Sequence, residues 1–146
     1  MLNETIRRFG YPATLIADYA HWVVLLRPAQ PTLGSLVLAA KSEALAFAEL
    51  GPDAFAGLGE AVGAIETALR VAVGYDKLNY LMLMMVDPHV HFHVIPRYQG
   101  ARSGGGLSIA DAGWPKAPVL GDAVELAPAQ IDAMADWLRG IWPSPR

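Results

Sequence analysis

The sequence predicts a fold that mixes α and β, with five strands and one long helix between the third and the fourth. Short segments rich in Val, Leu, Ile, Trp and Tyr recur between turn residues, as strands require. From Pro52 and Asp53 onward, Phe55, Leu58, Val62, Ile65, Leu69 and Val73 return at spacings of three and four, the period of a helix with one core-facing side. A chain of 146 residues that is 53% apolar and 17% charged can bury a core of ordinary domain size, so one domain spanning residues 1–146 is expected.

In chain order, residues 3–9 form a short helix capped by Asn3, with Ile6 and Phe9 on one side and Gly10 closing it. "TLIADY" and "HWVVLLR" read as a hairpin across the "DYAH" turn, and "SLVLAA" as a third strand after the Pro-rich loop "PAQPTLG". The long helix ends at Gly74, and Gly57, Gly59 and Gly63 weaken it by about 1 kcal/mol each relative to alanine, so it depends on packing against the sheet. "KLNYLMLMMV" and "HVHFHVIPR" then read as strands four and five, joined by a short Asp87-Pro88 turn. Residues 100–122, rich in Gly, Ala and Pro, are expected to be an extended loop with a flexible point at Gly104 to Gly106, and a last helix runs over 128–140 with Pro128 in its first turn.

Composition narrows function. A net charge of -3 and a pI near 5.7 give no broad basic field, which argues against nucleic acid as a partner and for a small, locally recognised ligand. No cysteine is present, which removes disulfides and thiolate metal sites and fits a cytoplasmic setting. No apolar run is long enough to span or anchor in a membrane, and "MLNETIRRFG" has no signal-peptide core. The mean hydropathy of +0.29 points to apolar surface covered in a subunit interface.

Three of the four histidines, His89, His91 and His93, alternate with Val90, Phe92 and Val94. On a strand, alternate side chains share a face, so the imidazoles project one way and the apolar residues the other, into the core. A zinc site could use only two of them. At about 3.3 Å of rise per residue His89 and His93 start about 13 Å apart, whereas two zinc ligands lie within about 4 Å of each other. Asp87 or His21 would have to complete such a site. A row of imidazoles also suits an extended phosphate chain: neutral imidazole is a nucleophile near pH 7 without a separate base, and its neighbours can hydrogen-bond phosphate oxygens or the leaving group.

"HVHFHVIPR" resembles the histidine triad motif, His-φ-His-φ-His-φ-φ with φ apolar followed by Pro-Arg, of the histidine triad (HIT) superfamily of nucleotide hydrolases and transferases. The likeness extends over roughly residues 11–98, which leaves 99–146 as a C-terminal extension. It implies an α+β fold, a five-stranded antiparallel sheet with one long packed helix plus short N- and C-terminal helices, acting as a homodimer on nucleoside phosphates with no obligatory metal or other cofactor. A third histidine where the transferases carry glutamine places the resemblance with the hydrolases, whose substrates include diadenosine polyphosphates and phosphoramidates. By that resemblance His91 is the nucleophile, His93 contacts phosphate and leaving group, and His89 supports them.

Asn79 matches an asparagine common on the preceding strand, a substrate contact or a strand residue satisfied by backbone. Relatives often carry Pro-Gly-His at the start of the third strand, its histidine relaying to the first triad histidine; Ser35 stands there in "TLGS", so that relay is absent or altered. Arg27 replaces a ribose-holding Asn or Asp, and a guanidinium cannot accept a hydrogen bond, so it serves as a phosphate contact or a surface charge. Arg97 adds positive charge beside the triad or is an exposed strand-end arginine paired with Asp87. The loop before the triad is cut to "MMVDP". A nucleotide-binding or interaction module that kept the fold and lost turnover is the alternative to an enzyme, and a metal-dependent hydrolase the third reading. "SGGG" lacks the Gly-Lys-Ser/Thr ending of a phosphate loop, and the Met and Trp residues are read as core and interface.

Overall fold

A computed structural model describes residues 2–144, so the outermost positions of the expected domain, Met1, Pro145 and Arg146, lie outside the described residues. The chain runs α1 (Glu4–Arg8), β1 (Leu15–Asp18), β2 (Trp22–Leu26), β3 (Ala29–Gln30), β4 (Leu36–Ala40), a 3-10 turn at Phe47–Glu49, α2 (Pro52–Ala72), β5 (Lys77–Leu81), β6 (His91–Arg97), β7 (Ala101–Gly104), β8 (Leu107–Ala110), β9 (Val124–Glu125) and α3 (Pro128–Ile141). Five strands form one antiparallel sheet in the order β1-β2-β4-β6-β5, the α+β arrangement expected from the sequence.

Register fixes which residues share a face. Ala39 lies opposite His91, and Val37 and Leu81 flank His93 from β4 and β5. The face carrying these histidines is covered in its centre by α1, whose Ile6 joins Val23, Leu25, Val37 and Ala39 in a small core edged by Phe9, Tyr11 and Leu15. The opposite face packs Val24, Leu26, Leu36, Leu38 and Val94 against Ile65 and Leu69 of α2, and Met134, Ala135 and Leu138 of α3 enter the same cluster. α1 is pinned by Asn3, whose side chain caps the Ile6 N–H (3.0 Å) and donates to the carbonyls of Ala40 (2.8 Å) and Ser42 (2.9 Å).

The helix period was legible: Ile65, Leu69 and Val73 are buried, Leu58 and Val62 pack against the core, and alanines share the buried stripe. Ala54, Ala61, Ala68, Ile65 and Leu69 are buried, whereas Phe55 stays exposed against Phe47. Small residues let α2 approach β2 closely enough for the Trp22 indole N–H to donate to the Ala54 carbonyl at 2.7 Å.

Two expectations are corrected. β5 stops at Leu81 and β6 begins only at His91, so residues 82–90 form an irregular connection in place of a short turn. A continuous Leu/Met run carries no period-two signal to mark a strand end, and Met84 takes a positive φ of 50° that a strand excludes. Residues 100–122 are not one open loop. β7 and β8 pair as a hairpin, and Gly104 and Gly105 lie so close beneath Trp137 and Met134 that a Cβ at either would overlap them. The glycines serve close packing, which glycine-rich composition cannot distinguish from flexibility.

Gly104→Ala should therefore lower unfolding stability by about 1–3 kcal/mol through overpacking. Gly63→Ala on α2, where an added Cβ meets open space, should raise it by up to about 1 kcal/mol. Urea midpoints measure both, and equal shifts of the same sign would refute the packing assignment.

Candidate active site

β6 brings the His91 and His93 rings to 5.1 Å between centroids, nearly perpendicular at 78°. Their hydrogen bonds assign opposite tautomers. His91 Nδ1 is 2.7 Å from the backbone carbonyl of His89, which can only accept, so Nδ1 carries a proton, and in the neutral ring Nε2 keeps its lone pair. Arg27 Nε donates to His93 Nδ1 at 3.3 Å, and a guanidinium can only donate, so the His93 proton sits on Nε2. Burial first, then the Arg27 charge and His91, bring the His93 imidazole down to about 4, with Asp87 acting the other way, and it is neutral near pH 7. The pair presents one nucleophilic nitrogen and one N–H donor side by side.

His89 lies outside the strand that the spacing of two predicts it to share with them. It occupies a bend ahead of β6. Its backbone N–H donates to Thr5 Oγ1 (3.3 Å), its Nδ1 lies 2.9 Å from the same hydroxyl, and its Nε2 donates to the Glu43 carboxylate at 3.1 Å. His89 thus meets the pair through its carbonyl, from just ahead of the strand, which begins only at His91.

A cleft of about 230 Å³ opens over His91 and His93, walled by Phe9, Arg27 and the 83–87 segment. The Phe9 ring lies 5.5 Å from the His91 ring and 5.8 Å from the His93 ring. Met85 and Val86, 86% and 82% exposed, form its outer lip. Arg27 also donates to the Ala29 carbonyl at 2.6 Å; burial lowers its pKa and Glu125 opposes that shift. Asp87 is the one carboxylate lining the cleft, and Arg8 faces it at 3.5 Å.

Neither a family model nor a curated protein matches this sequence. Solved structures match the backbone. A histidine triad protein from Marinobacter aquaeolei VT8 superposes with a TM-score of 0.73 at 23% identity, over 97% of this chain and 95% of that one. The chain has the histidine triad fold. A histidine triad protein from Bradyrhizobium japonicum gives 0.66 at 23% identity, over 94% of this chain and 97% of that one. A zinc-bound histidine triad family protein from Mycobacterium smegmatis gives 0.58 at 21%, over 93% and 88%.

Within the histidine triad fold, the other predicted site residues scatter. Ser35 is sealed in the turn before β4, its Oγ donating to the Thr32 carbonyl (2.8 Å) and its N–H to Gln30 Oε1 (3.1 Å); no substrate reaches it. Arg27 is not a free surface charge: it donates to His93 Nδ1 and lines the cleft with the two imidazoles. Arg97 is not an exposed strand end paired with Asp87. It is 3% exposed and binds Asp111 at 2.7 Å, and with Asn79 it lines a separate recess beyond Ile95. Thr5, Phe9 and Glu43 were missed as site residues. Phe9 was legible only as an apolar helix position, and no local pattern marks a threonine or glutamate whose partner is 84 or 46 residues away.

Among the described residues no group of three or more His, Asp or Glu side chains could hold a metal ion, and His21 is exposed beside α2 near Gly57.

A His93 held neutral at about 4, against about 6.5 in the unfolded chain, leaves its share of stability intact above about pH 6.5. Below that pH the unfolded state binds the proton first, and stability is lost as pH falls toward 4. Unfolding in urea across this window should show a steeper acid loss for the native chain than for His93→Gln. In ring-proton NMR titrations Arg27→Ala should move His93 up toward its ordinary value; an unmoved titration would rule out the Arg27 charge as a cause.

Proposed function

We propose that the chain is a nucleotide hydrolase of the histidine triad type, which cleaves a phosphoanhydride through a nucleotidyl adduct on His91. The observation that supports this best is the pair of imidazoles facing one cleft, His91 with its proton on Nδ1 and His93 with its proton on Nε2. His91 Nε2 attacks the α-phosphorus, a P–N bond forms, and the bond to the leaving oxygen breaks. The positive charge that develops on the His91 ring is carried by its Nδ1–H on the His89 carbonyl. His93 Nε2–H hydrogen-bonds the departing or non-bridging oxygen, while Arg27 behind it favours negative charge in the cleft. Water then splits the P–N bond, releasing the nucleoside monophosphate and restoring His91.

A neutral His93 offers a hydrogen bond and is a poor source of a full proton at pH 7. That favours leaving groups that depart as anions, the phosphates of a dinucleoside polyphosphate, over the amine of a phosphoramidate. The module without turnover rested on Ser35 and the clipped loop. With Thr5 and Glu43 holding His89 in place of a relay histidine, Ser35 no longer argues for it. The zinc-bound relative from Mycobacterium smegmatis keeps a metal-dependent reading open to test.

The same proposal includes a homodimer and a cytoplasmic setting. β5 is a sheet edge with one side unpaired, next to exposed Leu83, Met85 and Val86, as a self-pairing interface would need. The cysteine-free chain suits a reducing compartment. Among the described residues no helix is long and apolar enough to cross a membrane.

Diadenosine polyphosphates should be hydrolysed in the presence of chelator. His91→Ala should lower kcat by about 10³-fold or more and abolish an acid-quenched nucleotidyl adduct seen by mass spectrometry. Turnover lost on adding chelator and restored by zinc would replace this reading with the metal-dependent one, and nucleotide binding without turnover would replace it with the binding module.

A further inference from the structure

The face that carries the triad continues past it. The pleat of β6 sets Ile95 and Arg97 in line with His91 and His93, and β5 sets Asn79 opposite Ile95 and Lys77 opposite Arg97. Over the far end of this face lies a second recess of about 450 Å³, closed by the loop that carries Trp114, Pro115 and Lys116.

Its wall is built from donors. Arg97 gives Nε and Nη2 to the Asp111 carboxylate (2.7 and 3.2 Å), Nη2 again to the Lys116 carbonyl (2.7 Å), and Nη1 to Asn79 Oδ1 (2.9 Å). Asp111 in turn accepts from the N–H groups of Tyr98 and Gly113, both at 3.2 Å. A buried ion pair of this kind seldom adds net stability over apolar packing; here it fastens the loop to the sheet. It also settles the Asn79 amide, since a guanidinium can only meet the oxygen, which leaves the NH2 group as a donor. Lys77 and Lys116 are exposed and make no ion pair among the described residues, and no carboxylate lines the recess. The half-buried Trp114 ring adds a flat apolar side with an indole N–H that has no acceptor among the described residues.

Donors and ammonium groups around an aromatic ring select an anion on a planar carrier. From His93 to Arg97 the strand rises about 13 Å; Ile95 between them is fully buried, so an extended phosphate chain with its ribose joins the two recesses by passing over the residues that cover it. We infer that this recess takes the leaving nucleotide of a dinucleoside polyphosphate, with Lys77 and Lys116 on its phosphates and Trp114 against its base. The inference rests on the proposed hydrolase reading for the identity of the substrate, and on the recess alone for nucleotide binding.

Two measurements test it. The first is nucleotide binding in His91→Ala protein, read as the ADP-induced quenching of Trp114 fluorescence, taken as the difference from a Trp114→Phe variant. Quenching should saturate, weaken with salt, and weaken at least about tenfold in Lys77→Ala/Lys116→Ala. Inorganic phosphate should compete only weakly. No quenching, or quenching indifferent to the lysines, overturns the inference.

The second is kinetic. Lys77→Ala/Lys116→Ala should raise KM for diadenosine tetraphosphate about tenfold at unchanged kcat, and leave turnover of adenosine 5′-phosphosulfate, whose leaving group is only sulfate, as it was. An unchanged KM, or equal losses on both substrates, overturns it. If native protein turns over neither compound, the hydrolase reading fails while the fluorescence measurement still decides the recess.

Discussion

The unbroken pleat of residues 91–97 is the constraint on which the molecule depends. Because side chains alternate along it, Phe92 and Val94 can join the core beneath α2 while His91, His93 and Arg97 remain on the other face. A one-residue slip against β4 would put imidazoles against Ile65 and Leu69 and valines toward the cleft, an arrangement that costs apolar burial and leaves polar groups unpaired at once. β4, buried on both faces, holds the register from one side, and β5, whose Leu78 and Tyr80 pack on the core that α2 covers, holds it from the other. The chemistry and the stability of the fold are thus two readings of one strand.

Electrostatics on that face come from acceptors and donors that cannot change role. The carbonyl of His89 can only accept and the guanidinium of Arg27 can only donate, so two identical side chains two residues apart are given opposite functions without any change in sequence between them. The low pKa of His93 follows from the same placement. A buried ring beside a cation loses the charged form first, which trades its capacity as an acid for a fixed hydrogen-bond direction.

What the sequence made legible was periodic or local. The hairpin of β1 and β2, the Asn3 cap, the helix of residues 52–72 and the shared face of His91 and His93 all announce themselves within a few neighbouring residues. What it hid was non-local or compositionally disguised. Arg97 finds Asp111 because the chain turns back after β6 and forms the β7–β8 hairpin, and that hairpin looked like a loop because its glycines are there for Trp137 and Met134. His89 kept the spacing of a strand residue, yet its conformation is decided by Thr5 and Glu43, far away in sequence. Ser35 looked like a gap in a relay, but a hydroxyl small enough to satisfy its own turn has no need of the site.

α1 is five residues long and is held to the sheet chiefly by Asn3 and Ile6. A helix this short holds its place through tertiary contacts, and Asn3, Thr5 and Ile6 are all buried. Were it to lift, Thr5 would leave His89 and Phe9 would leave both imidazole rings in a single movement. Hydrogen exchange at the amides of α1 would then report on the same event that uncovers the cleft, so that local opening of this helix and access to His91 and His93 would share one equilibrium.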